Sequence, residues 1–135
     1  MGDREERLRR WPESLADYVG WEFVDGGNGV FRARMEVRPE HVAPNGFLQA
    51  SVVIALADMC CAKGTVETIP AGAGFTTIEL KTNLISTATQ GGVVCEATLQ
   101  HGGRTTQVWD AVVTSEATGR TMALFRCTQL VLHPS

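Results

Sequence analysis

Apolar side chains recur with two different periods along the chain, and the longer period predicts two helical segments. In residues 4–19 they lie three or four positions apart, as on one face of an amphipathic helix. We expect a break at Pro12, where a short second helix begins, and a stop at Gly20. Residues 47–63 are apolar on nearly every side and are followed by Gly64. A run of this length without a turn signal favours a helix over a buried strand, and such a helix is surrounded by protein.

The shorter period, in which apolar and polar positions alternate, predicts strands. The first two are joined by the turn Gly26-Gly27-Asn28, and the later ones are separated by Gly91-Gly92, Gly102-Gly103 and Thr118-Gly119. The predicted strands cover residues 21–25, 29–37, 75–86, 92–100, 105–115 and 121–132. Because the connections are short, we expect consecutive strands to be antiparallel neighbours. The simplest arrangement that buries the long apolar helix is one antiparallel sheet of about six strands wrapped around it. We therefore expect an α+β fold.

Length and charge narrow the class of protein. The chain has 135 residues, 44% of them hydrophobic, which suits one domain over residues 1–135 with a helical segment at 1–19. The formal net charge of -3 leaves no basic field for a nucleic acid. The longest apolar stretch is shorter than the roughly 18 to 20 residues of a membrane span. The first ten residues mix acids and bases and do not resemble a signal peptide, so we expect a cytoplasmic protein with no membrane partner.

The cysteines and histidines do not form a metal-binding pattern. No CxxC spacing occurs, and the histidines lie far from the cysteines and from one another. We expect the cysteines to be buried apolar thiols, and we expect no metal and no other cofactor. The residues concerned are Cys60, Cys61, Cys95, Cys127, His41, His101 and His133.

Asp58 is the residue that most clearly predicts chemistry. An ionised carboxylate in the middle of a buried helix is costly unless it is paired, faces a cavity or is protonated. The positions three and four residues away offer no cation: they are Ile54, Ala55, Cys61 and Ala62. We therefore expect Asp58 to face a cavity with a catalytic or ligand-binding role. The alternative is that this part of the helix reaches the surface.

The start of the same helix, residues 44–51, is a second candidate. Its free N–H groups and the helix dipole suit an anion or a developing oxyanion, although every helix has such an end. Ala50 and Asp58 lie about 12 Å apart along a helix, too far for both to touch one carbonyl. Two antiparallel copies of the helix across a twofold axis would bring the two groups together, so a shared site requires a homodimer.

Four segments of the chain, spanning about residues 20–132, resemble one family. They are HVAPNGFLQASVVIALADMCCAKG, GFTTIELKTNLISTATQGG, CEATLQHGGRTTQVWDAVV and GRTMALFRCTQLVL. In order and spacing they resemble the hotdog-fold acyl-CoA thioesterases, of the phenylacetate-degradation and 4-hydroxybenzoyl-CoA type. The resemblance implies a long helix wrapped in an antiparallel sheet, a dimer or tetramer, and an acyl-CoA substrate.

The resemblance also implies roles for individual residues. Asp58 corresponds to the family's acid, which acts as a general base on water or as a nucleophile. Ala50 corresponds to the glycine whose N–H polarises the thioester carbonyl, and Thr77 to a hydroxyl residue that helps to position the water. Further catalytic or substrate contacts are implied for Gln49, Asn45, Gly46, Phe47 and Ser51 at the helix start. Gly103, Arg104 and Thr105 are implied near the CoA phosphates, although that segment alone would be an ordinary hairpin turn.

The chain departs from the family at the helix start. Gln49 stands where many members have His, Ser51 replaces a glycine, and Ala43 stands where some members have Asn or Gln. The N–H of Ala50 survives, but the loss of one oxyanion donor typically costs about 2.7 to 4 kcal/mol. Weak turnover or a changed substrate preference is therefore expected.

Three functions follow in order of preference. The first is a cytosolic acyl-CoA thioesterase in which Asp58 activates water or attacks, and the helix start holds the oxyanion. The second is a non-catalytic protein that binds acyl-CoA or another small ligand on the same fold. The third, a hydratase, lacks a histidine beside the acid, since the nearest is His41 in the loop. The predicted pocket lining permits aromatic or medium aliphatic acyl groups equally: Phe47, Met59, Phe75 and Leu84.

Overall fold

The structure, a computed structural model, describes Glu6 and residues 14–135, and its elements follow the predicted order. They are α1 (Leu15–Val19), β1 (Glu22–Gly27), β2 (Val30–Glu36), a short 3-10 helix (Pro39–His41), α2 (Ala50–Thr68), β3 (Gly74–Leu84), β4 (Gly92–Gly102), β5 (Thr106–Ser115) and β6 (Thr121–Leu132). The α+β class is confirmed. Helix α1 ends at Gly20 in the left-handed conformation, as predicted. The earlier part of the predicted N-terminal segment, including Pro12, lies outside the described residues.

The six strands form one antiparallel sheet in the order β1-β2-β4-β5-β6-β3. The expectation that consecutive strands are neighbours is wrong for β3 and β4. Among the described strands, β3 lies at the edge of the sheet and pairs with β6, while β4 pairs with β2 and β5. The segment between β3 and β4 crosses the start of α2, where the Thr87 hydroxyl accepts a hydrogen bond from the Leu48 N–H at 3.0 Å. A short connection therefore permitted a hairpin here but did not require one.

The turn between β1 and β2 lies one residue later than predicted. Gly27 pairs with Val30, so the two central residues are Asn28 and Gly29. Both have positive φ, 55° and 78°, which is the geometry of the tight turn that Asn-Gly favours.

Helix α2 begins at Ala50 rather than at residue 47 and ends at Thr68 rather than at residue 63. The later start follows from the loop before it, where the Ala43 N–H donates to the Phe47 carbonyl at 2.7 Å. Gly64 does not end the helix, because it lies beneath the ring of Trp109. A Cβ atom at Gly64 would lie 2.5 Å from Trp109 Cη2, so the glycine serves close packing rather than chain reversal.

The core lies between one face of α2 and the inner face of the sheet. Its largest wholly buried side chains include Trp109, Met35, Leu56 and Met122. The four cysteines are buried and free, as predicted. No helix in the described part of the chain has the length and apolarity that crossing a membrane requires.

The opposite face of α2 is only partly covered. Ile54, Ala55, Met59 and Ala62 lie there at intermediate exposure, and Asp58 lies among them. The prediction that protein surrounds the helix therefore holds for one face of the single chain, and the other face is left half open.

Candidate active site

The Asp58 carboxyl lies on the half-open face of α2 and is half-buried. Burial raises its pKa, and a hydrogen bond from Thr77 opposes this with the smaller effect. No cation among the described residues contributes to this pKa. Burial therefore keeps the carboxyl basic, while one neutral hydroxyl, that of Thr77, stabilises its ionised form.

Strand β3 brings Thr77 to Asp58. The two strand residues after Thr77 form a bulge, because Thr77 pairs with Gln129 and the next pair is Glu79 with Thr128, leaving Ile78 unpaired. Bulges redirect side chains and are common beside active sites. The hydrogen bond between Thr77 and Asp58 brings together two predicted site residues from distant parts of the sequence, and their roles stay predictions.

Gln129 on β6 is a member of this cluster that sequence analysis missed. It is wholly buried, and its Oε1 accepts a hydrogen bond from the Thr77 hydroxyl at 2.6 Å. A signal was present in the sequence, since Gln129 occupies the inward register of β6 between the buried residues Cys127 and Val131. A polar side chain at an apolar position of a strand points to a buried partner.

The start of α2 presents free backbone donors. Gln49 is the N-cap, and its carbonyl accepts from the N–H groups of Val52 and Val53. The N–H groups of Ala50 and Ser51 have no hydrogen-bond partner within the part of the chain described. This is the arrangement expected of an oxyanion or anion site at a helix N-terminus.

The side chains around the helix start are used to shape the loop. The Gln49 amide donates to the Glu40 carbonyl at 3.1 Å, and the Asn45 side chain accepts from the Phe47 N–H at 3.1 Å. Gly46 takes a positive φ of 86°. Gln49 is therefore turned toward the preceding 3-10 helix, so only the backbone of the helix start is free for a substrate oxygen.

His41 is held structurally in the same region. It is wholly buried, its Nδ1 accepts from the Arg38 N–H at 2.9 Å, and its Nε2 lies 2.6 Å from the Tyr18 carbonyl. Both ring nitrogens are engaged, so His41 is not available to work beside Asp58 as the hydratase alternative would require.

An apolar groove of about 280 Å³ lies beside the helix start. It is lined by Phe47, Leu48, Val53, Leu84, Ile85, Ser86 and Thr87. Two of the four predicted lining residues, Phe47 and Leu84, lie in its wall. The other two do not: Met59 is partly buried on α2 and packs against the edge of the core, and Phe75 lies on β3 outside this wall. Helical position alone could not show that Met59 lies away from this groove.

The turn predicted to contact CoA lies at the other end of the molecule. The Gly103 N–H donates to the Thr106 carbonyl at 2.9 Å, and the Thr105 carbonyl accepts from the Val131 N–H at 2.8 Å. Gly103 and Arg104 line a second cavity of about 360 Å³, which also contacts Thr68 at the end of α2. Ala50 and Thr68 are about 27 Å apart along the helix. One chain therefore does not bring the turn and the helix start together.

The fold and the helix carboxylate define a class of protein. Residues 45–126, more than half of the chain, match the thioesterase superfamily. The chain belongs to the thioesterase superfamily, and it is an enzyme of that class, a thioester hydrolase. The chain is also 28% identical, over 114 residues, to a 1,4-dihydroxy-2-naphthoyl-CoA hydrolase of Listeria monocytogenes. That alignment covers 84% of this chain and 92% of the relative.

Solved structures agree on the fold. A thioesterase from Pseudomonas aeruginosa superposes with a TM-score of 0.85 at 24% identity, covering 98% of this chain and 95% of that chain. A thioesterase from Haemophilus influenzae gives 0.84 at 23% identity, covering 98% and 93%. These likenesses confirm the hotdog fold that the resemblance implied.

Proposed function

We propose that the protein hydrolyses an acyl-CoA thioester to the free acid and CoA, with Asp58 as the catalytic carboxylate. The observation that carries this proposal is the half-buried Asp58 carboxyl, which lies in an apolar helix and has a hydroxyl from β3 as its partner. A surface carboxylate would be less basic, and an ion-paired one would not be free to take a proton. The relative named as a CoA hydrolase supports the same substrate class.

The chemistry needs one base and one oxyanion site. Acting as a base, Asp58 takes a proton from the water that attacks the thioester carbonyl, and the thiolate of CoA leaves. Acting as a nucleophile, it attacks the carbonyl itself, and water then hydrolyses the mixed anhydride. Thr77 holds the carboxylate or the water in place in either route. The free N–H of Ala50 stabilises the carbonyl oxygen as negative charge develops on it.

A second copy of the chain completes this site. The helix geometry separates Ala50 from Asp58 by about 12 Å, so the amide must come from a partner subunit. Two surfaces suit an isologous partner. The half-open face of α2 carries Asp58, and the edge strand β3 exposes apolar side chains such as Ile78, at 55% exposure. We therefore propose a homodimer, or a dimer of dimers, with two equivalent sites in each dimer.

The same arrangement suggests where the substrate lies. The apolar groove beside Phe47 and Leu84 accepts the acyl group, and Asn45, Gly46 and Ser51 form the loop and first turn around it. The turn at Gly103, Arg104 and Thr105 offers a cation and backbone groups to the CoA phosphates. An aromatic or medium-chain acyl group fits an apolar groove of this volume, as in the phenylacetate-degradation and 4-hydroxybenzoyl-CoA type.

The proposal is tested by thiol release from a panel of aromatic and aliphatic acyl-CoAs. Asp58→Asn should lower kcat by about 10² to 10⁴, the usual contribution of a positioned acid or base. Glu67→Gln is the matched control, because it makes the same change on the same helix at an exposed residue paired with Lys63. It should retain wild-type activity. Unchanged turnover in folded Asp58→Asn would contradict the proposal.

One observation favours a second function, binding without turnover. Ala43 carries no side-chain donor, and the Gln49 amide is engaged by the Glu40 carbonyl. The oxyanion site therefore depends on backbone N–H groups alone. Tight binding of acyl-CoAs without thiol release from any of them would establish the binding function instead.

A further inference from the structure

Gln129 and Thr77 face each other across two strands. They are direct partners in the register of β3 and β6, and the Thr77 hydroxyl donates to Gln129 Oε1 at 2.6 Å. The other end of the amide, Nε2, is buried and has no hydrogen-bond partner among the described residues. A buried amide that uses its acceptor and leaves its donors unpaired is costly, so it needs an explanation.

The Thr77 hydroxyl has one proton and two acceptors within reach. One is Gln129 Oε1, at 2.6 Å, and the other is the Asp58 carboxylate, where a hydrogen bond from Thr77 partly offsets the larger effect of burial, which raises the pKa of Asp58. A single proton cannot serve both acceptors at once. The choice between them decides whether the ionised carboxylate is supported.

We propose that Gln129 is a positioning residue that acts on Asp58 through Thr77, and this inference rests on the proposed function. When Asp58 is ionised, the amide turns so that Nε2 donates to Thr77 Oγ1 and the hydroxyl donates to Asp58. When Asp58 is protonated, its own O–H donates to Thr77 Oγ1, and Thr77 donates to Gln129 Oε1. The second of these two hydrogen bonds is the one present in this structure. The acceptor to which the Thr77 hydroxyl donates therefore depends on whether Asp58 is protonated.

The chemistry of glutamine suits this role. Its amide has a donor and an acceptor at the two ends of one plane, so a rotation about the last side-chain bond exchanges them without backbone movement. The rotated state gives Nε2 a partner in exchange for the hydrogen bond that Oε1 accepts from Thr77. It also places two hydrogen bonds in sequence, which strengthen each other when the terminal acceptor is charged. No proton enters or leaves Gln129, so the proton that Asp58 takes from water stays on Asp58.

The test begins with Gln129→Met, which keeps the length of the side chain and removes both polar ends. We expect kcat for the best acyl-CoA to fall about five- to tenfold, the effect of one lost hydrogen bond, with KM within twofold. The acid limb of the plot of kcat against pH should move to higher pH. Without the hydrogen bond from Gln129, the Thr77 hydroxyl stabilises the ionised form of Asp58 less strongly, so the pKa of Asp58 rises. The matched control is Gln107→Met, a buried glutamine opposite Gln129 that is bonded to Trp109 and Thr68 instead. It should leave the pH profile in place.

Thr77→Val separates a positioning role from a structural one. If Gln129 acts through the hydroxyl, Gln129→Met should have no further effect on kcat or on the pH profile in the Thr77→Val background. An equal effect in both backgrounds, or a wild-type pH profile for Gln129→Met, would overturn the inference.

A second measurement does not depend on the folding of a Gln129 variant. In the ¹⁵N-labelled wild-type protein, the side-chain amide resonances of Gln129 should titrate with the pKa of Asp58, and Asp58→Asn should abolish the titration. Resonances that do not move through that pH range would overturn the inference. If Asp58→Asn is inactive while Gln129 shows neither effect, only this inference fails. If Asp58→Asn is fully active, the proposed function fails.

Discussion

At the scale of single residues, the Asp58 carboxyl is governed by two opposing effects. Burial disfavours the charged form and raises the pKa, and the Thr77 hydroxyl supports the charged form with a smaller effect. The folded protein therefore binds the Asp58 proton more tightly than the unfolded chain does. The ionised acid that the proposed mechanism requires is held at a cost in stability.

This cost predicts how stability responds to pH. Asp58 contributes most to stability below its unfolded pKa, and this contribution is lost as pH rises through the higher folded pKa. Asp58→Asn should therefore raise Tm at pH 7 to 8 and have little effect near pH 3, where the wild-type acid is already neutral. Thermal unfolding of both proteins across this range checks the prediction. A gain in Tm that is the same at every pH, or absent at pH 8, would contradict it.

Sequence could predict part of this cluster. Asp58 was evident because a carboxylate interrupts an apolar helix, and Thr77 followed from the family resemblance. Gln129 was missed, because its partner depends on which strand lies beside β3. The expected hairpin placed β4 there, whereas the structure places β6 there. Because the wrong strand was expected beside β3, the contact between Gln129 and Thr77 could not be predicted.

At the scale of elements, helix α2 shows how packing overrides local signals. Gly64 followed by a change in polarity resembled a helix end, but the helix continues to Thr68. The absence of a side chain at Gly64 allows the wholly buried ring of Trp109 to approach the helix backbone. Such contacts depend on the opposite strand, so composition within the helix could not predict them. The sheet order is a similar case, since connection length alone does not choose a partner.

Gly64→Ala should therefore destabilise the protein although alanine is the better helix former. The helical gain is about 1 kcal/mol, whereas overpacking costs about 1 to 3 kcal/mol, and Trp109 is fixed by its hydrogen bond to Gln107 at 2.9 Å. We expect a net loss of about 1 kcal/mol in the free energy of unfolding, measured in urea. Trp109→Phe removes the ring atoms that clash, so it should cost less in the Gly64→Ala background than in the wild type. Increased stability of Gly64→Ala would refute this interpretation.

At the scale of the whole molecule, the proposed site is divided between the start and the middle of one helix. Ala50 offers an N–H at the start of α2, and Asp58 offers a carboxylate about 12 Å further along. In the proposed dimer, the exposed apolar edge of β3 and the half-open face of α2 meet a second copy, which brings the two groups together. The helix spacing made this separation predictable from the sequence, whereas the surfaces that suit a partner became evident only in the fold.

Ala50→Pro provides a precise block of the amide. It removes only the N–H, and proline is tolerated at the first position of a helix. The preceding residue, Gln49, has φ of -60° and ψ of 130°, the extended conformation that a following proline requires. Ala50→Gly keeps the N–H and serves as the control, with activity expected near wild type.

The most direct test of the shared site is a mixture of two inactive variants, Asp58→Asn and Ala50→Pro. In a mixed dimer, one site combines both lesions, and the other combines an intact Asp58 with an intact Ala50 N–H. After random subunit exchange, thiol release should recover to about a quarter of the wild-type value, since half of the dimers are mixed and each has one intact site. If verified mixed dimers of folded subunits stay as inactive as their parents, the acid and the amide do not come from different subunits.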